Sequence, residues 1–153
     1  MKELILTSLH ETEQFAKKLG ACLERGDTIF LKGTLGAGKT ALARSLIQSL
    51  MGSEVDVPSP TFTLVQVYET SHLSLWHFDL YRLTSSDEVW ELGLEEALSE
   101  GASLIEWPER LGQFAISHLL ILTLTPVLEH PEMRHVTLEP SGRWVKKIEE
   151  LKL

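Results

Sequence analysis

An eight-residue segment of this chain has the residue types and spacing of a phosphate-binding loop. Residues 33–40 read Gly-Thr-Leu-Gly-Ala-Gly-Lys-Thr, which matches the P-loop pattern G-x-x-x-x-G-K-[ST]. The glycines allow a tight turn that directs several backbone N–H groups at one anion. Lys39 would act in catalysis by placing its charge against the β- and γ-phosphates, and the Thr40 hydroxyl would ligate Mg²⁺. The predicted nucleotide contacts are Gly33, Leu35, Gly36, Ala37, Gly38, Lys39, Thr40 and Ala41.

Two acidic residues that follow apolar segments could complete such a site. Asp79 follows residues 73–78, and Glu106 follows residues 102–105. A P-loop enzyme needs carboxylates for Mg²⁺ and for the attacking water, and ligands of α/β sheets bind at the carboxyl ends of parallel strands. We therefore predict that both residues act in catalysis and reach the metal, directly or through water. The alternative is that each carboxylate caps a turn or pairs with Arg82.

Other side chains are weaker candidates for a role in the site. Arg82, Arg110 and Arg134 are candidates for stabilising transition-state charge, although surface salt bridges are the commoner role of arginine. A threonine in residues 59–63 (Ser-Pro-Thr-Phe-Thr) could sense the γ-phosphate, as a GTPase switch does, or the segment could be a prolyl turn before a strand. Trp107 stands next to the second carboxylate.

The segments on either side of the P-loop supply the context that the motif requires. Residues 28–31 (Thr-Ile-Phe-Leu) are β-branched or apolar, which is typical of a buried strand. After the loop, apolar residues recur with the spacing of a helix, namely Leu42, Ala43, Leu46, Ile47 and Leu50. A strand, a loop and a helix in this order support nucleotide binding.

The remaining periodicities predict a three-layer α/β domain with a mixed sheet, a P-loop NTPase-like fold that occupies residues 1–153 as one unit. The strands following the P-loop helix should form an antiparallel hairpin, because only a short turn separates them. Further strands are predicted at 2–7, 61–70, 73–80, 102–107, 119–125 and 133–138. Further helices are predicted at 11–23, at 88–98 with an interruption at Gly93, and at 143–153.

Composition favours a cytoplasmic protein. The hydrophobic fraction of 43% is ordinary for a globular domain, and the apolar runs are too short to span a bilayer. The N-terminus lacks the pattern of a signal peptide, and the single Cys22 cannot form an internal disulfide. A formal net charge of -8 disfavours strong independent binding to nucleic acid, whose affinity rests mainly on Lys and Arg.

Four segments in sequence order resemble the TsaE (YjeE) family. They are the P-loop at 33–40, Ser-Pro-Thr-Phe at 59–62, Phe-Asp-Leu-Tyr-Arg at 78–82 and Glu-Trp-Pro-Glu at 106–109. Members of this family are bacterial ATPases required for threonylcarbamoyladenosine modification of tRNA. The P-loop is shared with many other proteins, so the other three segments carry most of the specificity.

The resemblance implies site residues and partners that spacing does not provide. Thr40 and Glu106 would hold Mg²⁺, with Asp79 close by and linked to the metal through water. Thr12 of the first helix would lie near the adenine. Family members work with TsaD and TsaB, and TsaD carries the transferase chemistry. ATP hydrolysis by TsaE would support turnover of that assembly, so tRNA would be reached only through the complex.

Two other functions compete with this interpretation. A small-molecule kinase would explain the P-loop and the Asp79-x-x-Arg82 spacing, but the sequence lacks an Arg-rich lid and the predicted hairpin fits a kinase poorly. A regulatory GTPase would need an [NT]-K-x-D segment to read guanine, and the chain has none. We therefore expect a slow, Mg²⁺-dependent ATPase.

Overall fold

The computed structural model describes residues 1–52, 55–60, 63–113 and 115–153. Strands in these ranges form a single sheet, and helices cover parts of both of its faces. The strands are β1 (Lys2–Leu6), β2 (Thr28–Lys32), β3 (Val65–Glu69), β4 (Ser74–Asp79), β5 (Ala102–Glu106), β6 (Leu119–Val127) and β7 (His130–Pro140). The helices are α1 (Leu9–Ala21), α2 (Lys39–Met51), α3 (Glu88–Glu91), α4 (Leu94–Glu100) and α5 (Trp144–Leu151), with a 3-10 turn at Pro108–Leu111.

The centre of the sheet is parallel and both flanks are antiparallel. The strand order is β1-β7-β6-β2-β5-β4-β3. Strand β2 pairs in parallel with β5 and β6, and β5 also pairs in parallel with β4. Strand β3 pairs antiparallel with β4, and β7 pairs antiparallel with both β6 and β1. The predicted mixed sheet and the hairpin after the P-loop helix are therefore confirmed.

Helices on the two faces of the sheet enclose two apolar clusters. Successive residues of β5 alternate between them, because Leu104 belongs to the larger cluster and Ile105 to the smaller. The larger cluster joins the sheet to α1, α2 and α5. The smaller cluster joins it to α3, α4 and the 3-10 turn through Val89, Leu94 and Leu111. This arrangement gives the three layers predicted for the fold.

Local hydrogen bonds set where the helices begin and end. Helix α1 begins at Leu9, two residues before the predicted start, because the Ser8 hydroxyl caps it by accepting from the Glu11 N–H at 3.2 Å. The Glu11 carboxylate accepts from the Thr7 N–H, which lowers the pKa of that carboxyl group. Gly93, at φ 89°, separates α3 from α4, as the sequence predicted. None of the helices in the described ranges is long and apolar enough to cross a membrane.

Three strand predictions had the wrong limits. The strand predicted for residues 61–70 begins only at Val65, because Leu64 has φ 69° and interrupts the extended backbone; residues 61 and 62 lie outside the described ranges. Strands β6 and β7 are longer than predicted because their pairing continues past Pro126, where the register shifts, to a tight turn at Leu128 and Glu129. Proline and polar residues near that turn hide the pairing from a search for apolar alternation.

A buried carboxylate fastens the last helix to the start of the P-loop strand. The side chain of Asp27, which immediately precedes β2, is fully buried. It accepts from the Arg143 Nε at 2.7 Å and from the Lys147 Nζ at 2.5 Å. The same two side chains donate to the carbonyl groups of Arg25 and Cys22. These bonds tie α5 to the turn that leads into β2.

Removing this carboxylate should strongly destabilise the fold. We expect Asp27→Ala to lower the free energy of unfolding by about 3–5 kcal/mol, because two partly buried cations would lose their buried partner and keep only the exposed carboxylate of Glu24. The control is Glu100→Ala, which removes the exposed pair of Arg25 and Glu100 at 4.0 Å and should cost at most about 1 kcal/mol. Urea unfolding measures both changes. Equal effects for the two variants would show that the buried cluster contributes no more than a surface pair.

Candidate nucleotide-binding site

The P-loop connects β2 to α2 with a backbone that only glycine can adopt at two key positions. Gly33 has φ 148°, and a Cβ there would lie 2.6 Å from the carbonyl oxygen of Leu124 in the adjacent strand. Gly38 has φ 100°, and a Cβ there would lie 3.1 Å from the Arg134 Nε. Helix α2 begins directly afterwards at Lys39 without a side-chain cap. Its first N–H groups have no partner within the helix, and this suits them to bind an anion.

A cavity of about 340 Å³ opens above this loop. All the predicted nucleotide contacts line it except Gly33 and Thr12, and both predicted carboxylates line it as well. The lining residues are Leu35, Gly36, Ala37, Gly38, Lys39, Thr40, Ala41, Asp79, Tyr81, Arg82, Glu106 and Trp107.

The two predicted contacts outside the lining have other roles in the structure. The carbonyl oxygen of Gly33 accepts a hydrogen bond from the Lys39 Nζ, so Gly33 orients the lysine from within the loop. The Thr12 hydroxyl, on the buried side of α1, donates to the carbonyl oxygen of Ser8 at 3.3 Å. The placement of Thr12 near the adenine stays a prediction.

Parallel pairing brings the two predicted carboxylates together. Asp79 ends β4, Glu106 ends β5, and the two residues are register partners. Both are buried, with 4% and 1% of their surfaces exposed. The Thr40 hydroxyl donates to the Glu106 Oε1 at 2.8 Å, and the Asp79 Oδ1 accepts from the Tyr81 N–H at 3.1 Å. Both residues therefore lie together at one edge of the sheet, as predicted.

A histidine that the sequence analysis did not single out also contacts this carboxylate. The His77 Nε2 lies 2.7 Å from the Glu106 Oε2, and the imidazole is fully buried. His77 is two residues before Asp79, so both side chains lie on the same face of β4. That spacing was the available signal. That signal is weak, because a lone histidine in an apolar strand is usually a packing residue.

The oxygen groups at the edge of the sheet suit Mg²⁺ that arrives with a nucleotide. The described residues contain no cluster of three or more His, Cys, Asp and Glu side chains arranged to hold a metal ion. Mg²⁺ in nucleotide enzymes usually takes only one or two carboxylates and completes its coordination with phosphates and water. The Thr40 hydroxyl and the carboxylates of Asp79 and Glu106 form such a partial set beside the cavity. The residues present therefore fit the predicted metal.

Comparison with known proteins identifies the family. The sequence matches the family model of Threonylcarbamoyl adenosine biosynthesis protein TsaE across residues 6–135. The chain belongs to the TsaE family. The tRNA threonylcarbamoyladenosine biosynthesis protein TsaE of Rickettsia bellii is 46% identical over 127 residues, which cover 83% of this chain and 83% of the relative. The protein of the same name from Aquifex aeolicus is 40% identical over 111 residues, covering 72% of this chain and 79% of its own.

A solved structure supports the predicted fold. The crystal structure of YdiB from Bacillus subtilis superposes with a TM-score of 0.81 at 28% sequence identity. The match covers 99% of this chain and 93% of YdiB. The TsaE resemblance carried by four short segments is thus confirmed by the family match, and the predicted fold is confirmed over almost the whole length of the chain.

In this TsaE-family chain, an aromatic ring covers the P-loop lysine. The Lys39 Nζ lies 3.5 Å from the centroid of the Trp107 ring, and Trp107 also contacts Tyr81, with the ring centroids 4.9 Å apart. Burial lowers the pKa of Lys39. The nearby carboxylates, chiefly that of Glu106, raise the pKa and so offset part of this effect. Phosphate oxygens at the ammonium would favour the charged form of the lysine, as those carboxylates do. Because the ring occupies one approach to Lys39, we infer that Trp107 moves when phosphate binds.

The three candidate arginines occupy different environments. Arg82 is exposed and lines the cavity, so it stays a candidate for contact with phosphate. Arg110 lies on the 3-10 turn and is exposed away from the lining. Arg134 donates from Nε to the carbonyl oxygen of Ala37 at 2.7 Å, and from Nη1 to the carbonyl oxygens of Pro131 and Met133. Arg134 therefore joins the turn between β6 and β7 to the P-loop.

The predicted phosphate sensor in residues 59–63 stays a prediction. Thr61 and Phe62 lie outside the described ranges. Ser59, Pro60 and Thr63 are described and do not line the cavity.

Nucleotide binding should change the fluorescence of Trp107. We expect MgATP to alter the emission of the wild-type protein, because displacing the ring removes its contacts with the Lys39 ammonium and with Tyr81. Trp107→Phe should abolish most of this change. Trp90→Phe should preserve it, since Trp90 lies outside the cavity lining. Fluorescence titration with MgATP tests the three proteins side by side. If MgATP changes the emission of Trp107→Phe as much as that of the wild-type protein, the change does not come from movement of this ring.

Proposed function

We propose that this protein is a slow, Mg²⁺-dependent ATPase that supports threonylcarbamoyladenosine modification of tRNA by promoting turnover of a complex with TsaD and TsaB. The observation that carries the proposal is the position of Lys39 and Thr40 beside two buried carboxylates in one cavity, in a chain of the TsaE family. The names of the relatives, which specify tRNA threonylcarbamoyladenosine biosynthesis, support the biological role.

Each group around the cavity has a role in ATP hydrolysis. The first N–H groups of α2 and the Lys39 ammonium would bind the β- and γ-phosphates. Thr40 and Glu106 would hold Mg²⁺, with Asp79 alongside, and the metal would neutralise charge that develops on the transferring phosphoryl group. A carboxylate at this edge would orient a water molecule towards the γ-phosphorus. The oxygen of that water forms the new bond as the bond to the β-phosphate oxygen breaks, giving ADP and phosphate.

The surroundings of the cavity support our expectation that the isolated protein hydrolyses ATP slowly. Among the described residues, Arg82 is the one arginine in the lining, and it is exposed. An arginine supplied at the transition state can accelerate P-loop hydrolysis by about 10³ to 10⁵. We therefore propose that the TsaD–TsaB pair orders this region or supplies a charge, and so raises the rate.

The charge of the chain fits a role in which its partners bind the tRNA. It has 22 acidic residues against 14 Lys and Arg. Proteins bind nucleic acid mainly by neutralising phosphates with Lys and Arg, so an acidic chain has little affinity of its own. We propose that TsaD and TsaB hold the tRNA and that this protein acts with them in the cytoplasm.

Reconstitution tests the proposed function. The purified protein, TsaD and TsaB are mixed with tRNA, ATP and the threonylcarbamoyl donor, and ADP and modified adenosine are followed over many turnovers. We expect slow hydrolysis by the protein alone, faster hydrolysis with the pair, and sustained modification only when all three are present. Glu106→Gln, which keeps the size of the side chain and removes its charge, should retain the Mg²⁺-independent part of ATP binding and lose hydrolysis and sustained modification.

A parallel assay tests the competing function, that of a small-molecule kinase. A panel of small hydroxyl and acid acceptors is added with ATP to the isolated protein, and phosphorylated products are sought. If a small acceptor is phosphorylated and modification is indifferent to this protein, then it is a small-molecule kinase and the proposal is wrong.

A further inference from the structure

His77 is a buried polar residue that the proposed chemistry leaves without a role. It occupies the middle of β4, where its register partner is Leu104 of β5. Leu75, two residues earlier on the same face, and Leu104 are both fully buried in the larger apolar cluster. Packing at such a position is better served by an apolar side chain, because burying an imidazole in apolar surroundings costs free energy. The imidazole of His77 also lies outside the lining of the nucleotide cavity, so it does not act by touching the ligand.

The contacts of His77 show what the imidazole does. Its Nε2 lies 2.7 Å from the Glu106 Oε2, while the Thr40 hydroxyl donates to the other oxygen, Oε1, at 2.8 Å. The carboxylate accepts at both oxygens, so we assign the His77 proton to Nε2. Two donors, one on each oxygen, fix both the direction of the Glu106 side chain and the rotation of its carboxylate plane.

The other ring nitrogen strengthens this assignment. The His77 Nδ1 is buried and has no hydrogen-bond partner among the described residues. The histidine is therefore held in place by a single polar contact, and that contact is the carboxylate assigned to Mg²⁺.

We propose that His77 is a positioning residue that orients Glu106 for the Mg²⁺ of the bound nucleotide. This inference rests on the proposed function, since it gives Glu106 the metal as its target. Thr40 alone holds only one oxygen of the carboxylate. The plane of the carboxylate could then still rotate and carry the other oxygen away. The Nε2–H of His77 prevents the rotation and keeps the carboxylate poised beside Asp79. Loss of His77 should therefore weaken the metal-dependent part of nucleotide binding and leave the P-loop contacts intact.

Three variants and calorimetry separate orientation from packing. His77→Leu removes the donor and fills the same apolar space, and His77→Gln places an amide N–H within reach of the Glu106 Oε2. Leu75→Ala is the matched control, because it weakens the same strand and face without touching Glu106. The affinity of each protein for the β,γ-imido analogue of ATP is measured with Mg²⁺ and with EDTA, and urea unfolding reports stability.

We expect His77→Leu to bind the analogue as tightly as wild type in EDTA. With Mg²⁺ its affinity should be about 10- to 100-fold weaker than that of wild type, which is the usual cost of removing a residue that orients a metal ligand. His77→Gln should regain most of that loss. Leu75→Ala should be less stable yet keep the full effect of Mg²⁺. If His77→Leu fails to fold, His77→Gln is compared with His77→Asn, whose shorter amide cannot reach Oε2 and should show the loss.

The outcomes distinguish this inference from the proposed function. If the wild-type protein binds the analogue no better with Mg²⁺ than with EDTA, the proposed function fails and this inference fails with it. If wild type shows the Mg²⁺ effect and His77→Leu shows the same effect, only the inference fails and His77 is a core residue. An equal Mg²⁺ effect in His77→Asn and His77→Gln would overturn it in the same way.

Discussion

The buried carboxylate of Glu106 is the constraint on which the arrangement of the site depends. It is 1% exposed, and a charge removed from water in this way costs several kcal/mol unless other groups compensate it. Thr40 and His77 supply a hydrogen bond to each oxygen, and the Lys39 ammonium adds a nearby positive charge. Compensation comes from two residues of the P-loop helix, Lys39 and Thr40, and from His77 of the neighbouring strand. Two of these three groups, Lys39 and Thr40, are also groups that would hold the nucleotide and its metal.

The fold brings these groups together through sheet register and through two distant polar contacts. Parallel pairing places Asp79 beside Glu106 at the edge where β2 delivers the P-loop. Arg134 holds the carbonyl of Ala37 and so fixes the loop from the β6–β7 side. At the other end of β2, the buried Asp27 fastens the strand to α5. The P-loop is therefore anchored by both of its flanking elements and by a cross-sheet arginine.

Short-range features could be predicted from the sequence, and long-range contacts could not. The P-loop, the β3–β4 hairpin and the interruption at Gly93 follow from local spacing and turn residues, and the structure bears them out. Asp79 and Glu106 were found because both end apolar segments. The contacts of His77, Arg134 and Asp27 depend on which strands become neighbours, which one sequence does not show. The late start of β3 was missed because the positive φ of Leu64 leaves no mark in the pattern of residue types.

The affinity of MgATP for Lys39→Ala tests the central claim most directly, since every role assigned to the cavity assumes that phosphate binds at this lysine. Isothermal titration calorimetry should show affinity about 10- to 150-fold weaker than wild type, from losing a charged hydrogen bond worth ~1.5–3 kcal/mol. Lys32→Ala, which removes a lysine from the end of β2 outside the lining, should bind like wild type, and circular dichroism should show both variants folded. Normal affinity in a folded Lys39→Ala variant would contradict the account, because the phosphates would then bind elsewhere.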